Sequence, residues 1–167
     1  MYASLPGIDV SFEDHGTGAP LVLLHGGAQT PALSFGALMP LLTPHRRVIP
    51  IELQGHGRTA DPEDREITLA RMADDVVGVL DHLGLERADV LGFSWGGLVA
   101  LETAVRHPAR VDRLVLAAVH TRKDGYHAEI HDPSTYATST RMPSEADFAA
   151  MVAEYERYGI STFEQVV

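Results

Sequence analysis

The stretch DVLGFSWGGLVAL, residues 89–101, decides the fold. ADVLGF at 88–93 reads as an apolar strand, and GGLVALETAVRH at 96–107 reads as a helix stopped before Pro108. Between them stands Ser94, inside a Gly-x-Ser-x-Gly pattern. A side chain held on so tight a strand-to-helix turn has strained backbone angles and close neighbours, so Gly92 and Gly96 leave room. Gly97 lets the new helix pack close to the sheet. The turn lifts the hydroxyl off the backbone and aims the start of the helix at any negative charge forming nearby. The competing reading is a serine in an ordinary turn that caps a helix. The strand before and the helix after favour a nucleophile corner.

Working outward, the chain alternates strands and helices. LVLLH at 21–25 has four apolar residues in a row, as a strand covered on both faces requires. RRVIPIEL at 46–53 is a second buried strand, weakened at its far end by Pro50. VDRLVLAA at 111–118 is a third, and residues 8–14 read as an edge strand turned by HGTG at 15–18. Pro31 opens a short helix expected to run through Leu42. The clearest helix follows Thr68, a plausible N-cap, with Leu69, Met72, Ala73, Val76, Val77, Leu80 and Leu83 on one side and Gly84 at its end. Asp74, Asp75 and Asp81 are expected to face away from that stripe. Strand, helix, strand, helix, strand implies an α/β fold with a mostly parallel sheet of five or six strands and helices on its faces. Such sheets bind ligands outside the carboxyl ends of their strands. The loops after His25, Leu53, Phe93 and Val119 should therefore share one edge.

The totals narrow the function. With a net charge of −10, the chain lacks the basic surface that nucleic acid or an acidic membrane would need. There is no cysteine, which removes disulfides, thiolate chemistry and cysteine-based zinc sites. The N-terminus has no signal-peptide pattern and no stretch has the length of a membrane span, so a cytoplasmic protein acting on a small molecule is expected. No cofactor or metal is called for. HAEIH at 127–131 spaces two histidines like metal ligands, but Asp132 and Pro133 end that stretch quickly. Residues 120–167 change texture and read as a separate helical layer.

A serine that attacks a carbonyl needs two amide donors for the resulting oxyanion. Trp95 supplies one candidate, directly after Ser94. The other should come from Gly27 or Ala28 in the glycine loop after 21–25, and Gly27 is preferred. His25 ends a strand in that same loop and is expected to hold it by a side-chain hydrogen bond rather than to act as base. In GHGRT at 55–59, Gly55 and Gly57 permit a turn, and Arg58 should pair with Asp61 or a backbone carbonyl. His56 is read as structural.

HGG at 25–27, QGHGRTAD at 54–61, MADDVVGVLDHLGL at 72–85 and GFSWGGLVALETAVRHPARVDRLVLA at 92–117 occur in this order over roughly residues 8–119. In these motifs the chain resembles the α/β-hydrolase fold family, near its proline iminopeptidase, epoxide hydrolase and lactonase-like members. The resemblance implies a serine hydrolase of esters, lactones or amides. Ser94 would be the nucleophile and the amides of Gly27 and Trp95 the oxyanion hole. Residues 1–119 would form the N-terminal part of the core and residues 120–167 the start of a helical cap. Relatives with an aspartate nucleophile also carry tryptophan after it, but serine at 94 argues against dehalogenation and epoxide opening. Trp95 is then expected to wall the substrate pocket, with simple core packing as the alternative. An aminopeptidase-like reading would use acidic groups of the cap, among them Glu129, Glu145, Asp147, Glu154 and Glu156.

The family order is serine, then acid, then histidine, both after later strands. They are therefore expected beyond residue 167, with the fold incomplete at its C-terminus and the strand at 111–118 open along one flank. His120, Asp124, His127, His131 and Asp132 are available within the chain, but a surface or cap role is the reading for all five. A truncated, catalytically inactive binding or regulatory protein on the same scaffold is one alternative, and another chemistry of the same fold, such as carbon–carbon bond cleavage or perhydrolysis, is a third reading. Completion by a second chain, or a homo-oligomer, stays open.

Overall fold

The computed structural model describes residues 1–119, which form one compact unit, Met1–Val119. The cap assigned to 120–167, and the histidines and acids singled out there, lie outside the described residues. A hairpin, β1 (Tyr2–Leu5) and β2 (Ile8–Ser11), leads the chain. Then come β3 (Pro20–Leu24), α1 (Pro31–Phe35), α2 (Met39–Leu42), β4 (Arg47–Ile51) and α3 (Leu69–His82). β5 (Ala88–Phe93), α4 (Trp95–Arg106), a 3-10 turn at Pro108–Arg110 and β6 (Val111–Ala117) complete it.

Among the described residues the parallel sheet has four strands, in the order β4-β3-β5-β6, rather than five or six. The difference is the N-terminus. Residues 8–14 do not simply extend the sheet as one edge strand. β2 pairs antiparallel with β1 across the two-residue turn Pro6–Gly7, and only the segment after it meets β4, through bridges Phe12 to Ile51 and His15 to Val48. Those contacts explain Pro50. Its carbonyl accepts from the Glu13 amide on the outer side of β4, so the missing proline N–H faces the 12–15 segment and leaves the parallel ladder between β3 and β4 intact.

The sheet is apolar on both faces. Val22, Leu24, Ile49, Ile51 and Val90 point into the larger core beneath α3 and α4, with Val76, Val79 and Leu80 of α3 and Val99 and Ala100 of α4. Leu21, Leu23 and Val48 face a smaller cluster closed by Phe35. Helix α3 begins as expected, with the Thr68 hydroxyl accepting from the Arg71 amide. It ends in a complete left-handed cap: Gly84 has φ +66°, its amide donates to the Asp81 carbonyl, and the Leu85 amide donates to that of Leu80.

Three local expectations change. The helix from Pro31 is two pieces, because Pro40 cannot donate back into the preceding turn. The buried stripe of α3 includes Val79, while Val77 is only half-buried. Asp75 does not face solvent. It is buried within that stripe, 2.6 Å from the half-buried guanidinium of Arg65.

Candidate active site

Because the four strands are parallel, the loops after β3, β4, β5 and β6 leave from one edge, and there they touch. Ser94 sits at the corner between β5 and α4 with φ 51° and ψ −115°. A non-glycine residue with positive φ stores on the order of 1–3 kcal/mol, which the surroundings must hold in place. They do so by three ties. The Ser94 amide donates to Ala117 at the end of β6, and the Ser94 carbonyl accepts from the Gly97 and Leu98 amides. The Ser94 side chain makes no capping hydrogen bond to α4, so the reading of an ordinary capping serine does not describe it.

The glycines around it are there for closeness, not for their torsions. A Cβ on Gly96 would stand 2.2 Å from the Leu24 carbonyl oxygen and 2.4 Å from that of His25. One on Gly92 would stand 2.3 Å from the Gly96 oxygen, and one on Gly97 would meet Val119 at 2.2 Å. The first turn of α4 is thus pressed against the ends of β3 and β5 and against Val119, two residues past β6. Gly27 lies on the other side of the corner, where its Cβ position is 3.6 Å from the Cβ of Trp95. Ser94, Trp95 and the glycine loop occupy one place. The Trp95 side chain is half-buried and packs against the larger core.

Two histidines cross between the loops after β3 and β4. His25 is fully buried; its Nδ1 lies 2.8 Å from the Gly26 carbonyl and its Nε2 receives the Leu53 amide at 3.0 Å. His56 answers from the other loop. Its Nδ1 is 2.9 Å from the Gln54 carbonyl and its Nε2 receives the Ala28 amide at 3.1 Å. Each ring therefore carries its proton on Nδ1, since a carbonyl faces that nitrogen and an amide N–H faces the other. The ring centroids are 4.9 Å apart. Burial pushes the His25 imidazole below the ordinary histidine range; the Gly26 carbonyl opposes this, His56 adds to it and Glu52 opposes it. Both rings are committed on both nitrogens and neither is free to take a proton from Ser94.

Ala28, the alternative amide donor, spends its N–H on His56. Among the described residues the Gly27 and Trp95 amides donate to no protein acceptor. Arg58 pairs with neither Asp61 nor a carbonyl. Its guanidinium lies 2.9 Å from Glu52 and 2.8 Å from Glu13, and its amide donates to Glu52 at 2.6 Å. Burial raises the Glu52 carboxyl, but the hydrogen bonds and charge of Arg58 outweigh it and hold the group below its ordinary range. Asp61 instead accepts from Gln54. Sequence reasoning passed over Glu52; the signal was one acid closing an otherwise apolar run.

A histidine–aspartate pair does exist, His107 with Asp74 at 2.7 Å. It stands at the far end of the 12-residue α4, about 18 Å along the axis from Ser94. It cannot serve that hydroxyl. Among the described residues no three His, Cys, Asp or Glu side chains gather as metal ligands would, and no helix is long and apolar enough to cross a membrane.

A parallel sheet with a strand–serine–helix corner at its carboxyl edge defines a class, the α/β hydrolases. The chain belongs to that family: residues 19–151 match the alpha/beta hydrolase fold. It is 42% identical over 112 residues to 2-hydroxymuconate semialdehyde hydrolase of Pseudomonas sp. (strain CF600), covering 66% of this chain and 40% of that protein. It is 36% identical over 111 residues to pimeloyl-[acyl-carrier protein] methyl ester esterase of Aeromonas hydrophila subsp. hydrophila, covering 66% and 42%. Among solved structures, a hydrolase from Pseudomonas aeruginosa PA01 superposes with a TM-score of 0.74 at 29% identity, covering 92% of this chain and 57% of that one. The chain spans about two fifths of the length of the curated relatives it matches.

Proposed function

We propose that the protein is a serine hydrolase that opens an ester, lactone or amide through an acyl-enzyme at Ser94. The observation that carries this reading is the backbone of Ser94 at φ 51° and ψ −115°, with its side chain unused as a cap. Strain of that kind persists where a structure is built to present one group. The Ser94 oxygen attacks the substrate carbonyl carbon and its proton passes to a base. The tetrahedral oxygen accepts from the amides of Gly27 and Trp95, which have no other protein acceptor among the described residues. Collapse breaks the bond to the leaving alcohol or amine, which takes that proton, and water then releases the acid and regenerates the hydroxyl.

Neither His25 nor His56 is placed as the base, since both are committed on both nitrogens, and His107 is at the wrong end of α4. The base and its orienting acid are therefore sought beyond residue 119, after later strands, as the resemblance implies. The relatives support a hydrolase without choosing its substrate, since one is named for a semialdehyde and another for a methyl ester. A fluorophosphonate probe tests the reading. Labelling of the protein at Ser94, abolished in Ser94→Ala and followed by mass spectrometry of the peptide, is the expected result. An unlabelled protein under conditions where a known serine hydrolase reacts within minutes would leave a binding protein on the same scaffold.

A further inference from the structure

The two imidazoles do more than tie loops together. We infer that His25 and His56 are a pair of positioning residues that fix both peptide planes flanking Gly27 and so aim its amide at the oxyanion. This rests on Ser94 being the nucleophile and goes beyond it by assigning what holds the amide in place. Gly27 is the most conformationally permissive kind of residue, so its N–H direction must be imposed from outside. The peptide joining Gly26 to Gly27 is planar, with its carbonyl and its N–H pointing opposite ways. His25 Nδ1–H holds that carbonyl, which turns the Gly27 N–H away from the ring. The next peptide is held by its other end, where the Ala28 N–H donates to His56 Nε2. Ala28 itself has φ 55°, a conformation a non-glycine residue keeps only when something holds it.

The arrangement is reciprocal. The ring from the loop after β3 reaches the Leu53 amide in the loop after β4, and the ring from that second loop reaches back to Ala28. Neither peptide can rotate without breaking a hydrogen bond to a ring that the other loop also grips.

Isosteric amides separate the roles of the two nitrogens. Asparagine reproduces the Nδ1 position and glutamine the Nε2 position. His56→Gln keeps an acceptor for Ala28, and His56→Asn loses it. His25→Asn keeps the donor to Gly26, and His25→Gln loses it. Each variant is assayed for hydrolysis of p-nitrophenyl butyrate and for binding of an alkyl trifluoromethyl ketone, whose serine adduct carries an oxyanion. The matching secondary alcohol, which cannot form that adduct, reports the intact pocket. The expected loss in kcat and in ketone affinity is about ten- to a hundredfold for His56→Asn and His25→Gln, the size that misplacing one donor produces. Affinity for the alcohol and KM stay within about twofold, and His56→Gln recovers at least tenfold of what His56→Asn loses. If the fully buried His25→Gln does not fold, the two variants at the half-buried His56 carry the test. Equal ketone affinity in both His56 variants and the wild type overturns the inference while leaving Ser94 as nucleophile. A wild-type protein that forms no adduct at Ser94 removes the reading beneath it, and the inference with it.

Discussion

A Cβ at position 96 would have to occupy the space of two carbonyl oxygens, those of Leu24 and His25. Backbone atoms at the end of a central strand do not move aside, so Gly96→Ala should cost about 2–3 kcal/mol, the range of overpacking a tight interior. Gly84→Ala is the control. That glycine has φ +66° but nothing within 4 Å of where a Cβ would stand, so only the torsional cost of about 1 kcal/mol applies. Urea midpoints of the two variants should differ in that order, and equal midpoints would mean the corner is looser than its contacts say. His25 gives a second prediction at this scale. Its folded-state pKa is depressed, so the neutral ring is favoured and its contribution to stability is complete above the unfolded value of about 6.5. That contribution is lost as pH falls from there through the folded value. His25→Asn removes the titration. The stability difference between wild type and His25→Asn should therefore shrink between pH 7.5 and pH 5. A difference that stays constant across that window rules the account out.

At the scale of elements, α3 was plain from sequence because its ends are chemical punctuation: a threonine that caps and a glycine that accepts the left-handed turn. The Ser94 corner was plain because strand, glycine and helix agree there. The hairpin β1–β2 was not, since Tyr2–Leu5 is four residues with one buried side chain, too short a pattern to count. The two-part helix was legible in Pro40 and passed over. Asp75 was hidden for another reason: charge suggests solvent, and only the fold shows Arg65 arriving from the preceding loop. Burial raises the Asp75 carboxyl, while the hydrogen bond and charge of Arg65 lower it, and the net is above the ordinary range. Removing the guanidinium strands a buried carboxylate. Arg65→Met should cost about 3–5 kcal/mol at pH 7, and adding Asp75→Leu should return most of it. A carboxyl raised in the folded state gains stability as pH falls, so the penalty of Arg65→Met should diminish from pH 7 toward pH 4.5. Chemical denaturation of the two variants over that range checks both statements.

At the scale of the whole molecule, the site has no local existence. Its parts leave the sheet at residues 24, 51, 93 and 117, and each holds another: α4 lies on the end of β3, Ser94 hangs from the end of β6, and the histidines join the loops after β3 and β4. Long-range contacts of this kind form only when the sheet does. Trp95 is the one tryptophan in the chain and stands inside that junction, between Gly27 and the larger core. Its emission therefore reports the corner while far-ultraviolet dichroism reports the strands and helices. In urea the two signals should change together, at one midpoint and with one slope. If tryptophan emission shifts at a clearly lower urea concentration than the dichroism, the corner opens while the sheet stands. The strain at Ser94 would then have to be held by something other than the strand ends, and Gly96→Ala would separate the two transitions no further. Coincident curves in the wild type, and coincident curves at a lower midpoint in Gly96→Ala, are the expected outcome, because the corner is tied to the ends of β3 and β6 and falls with the sheet.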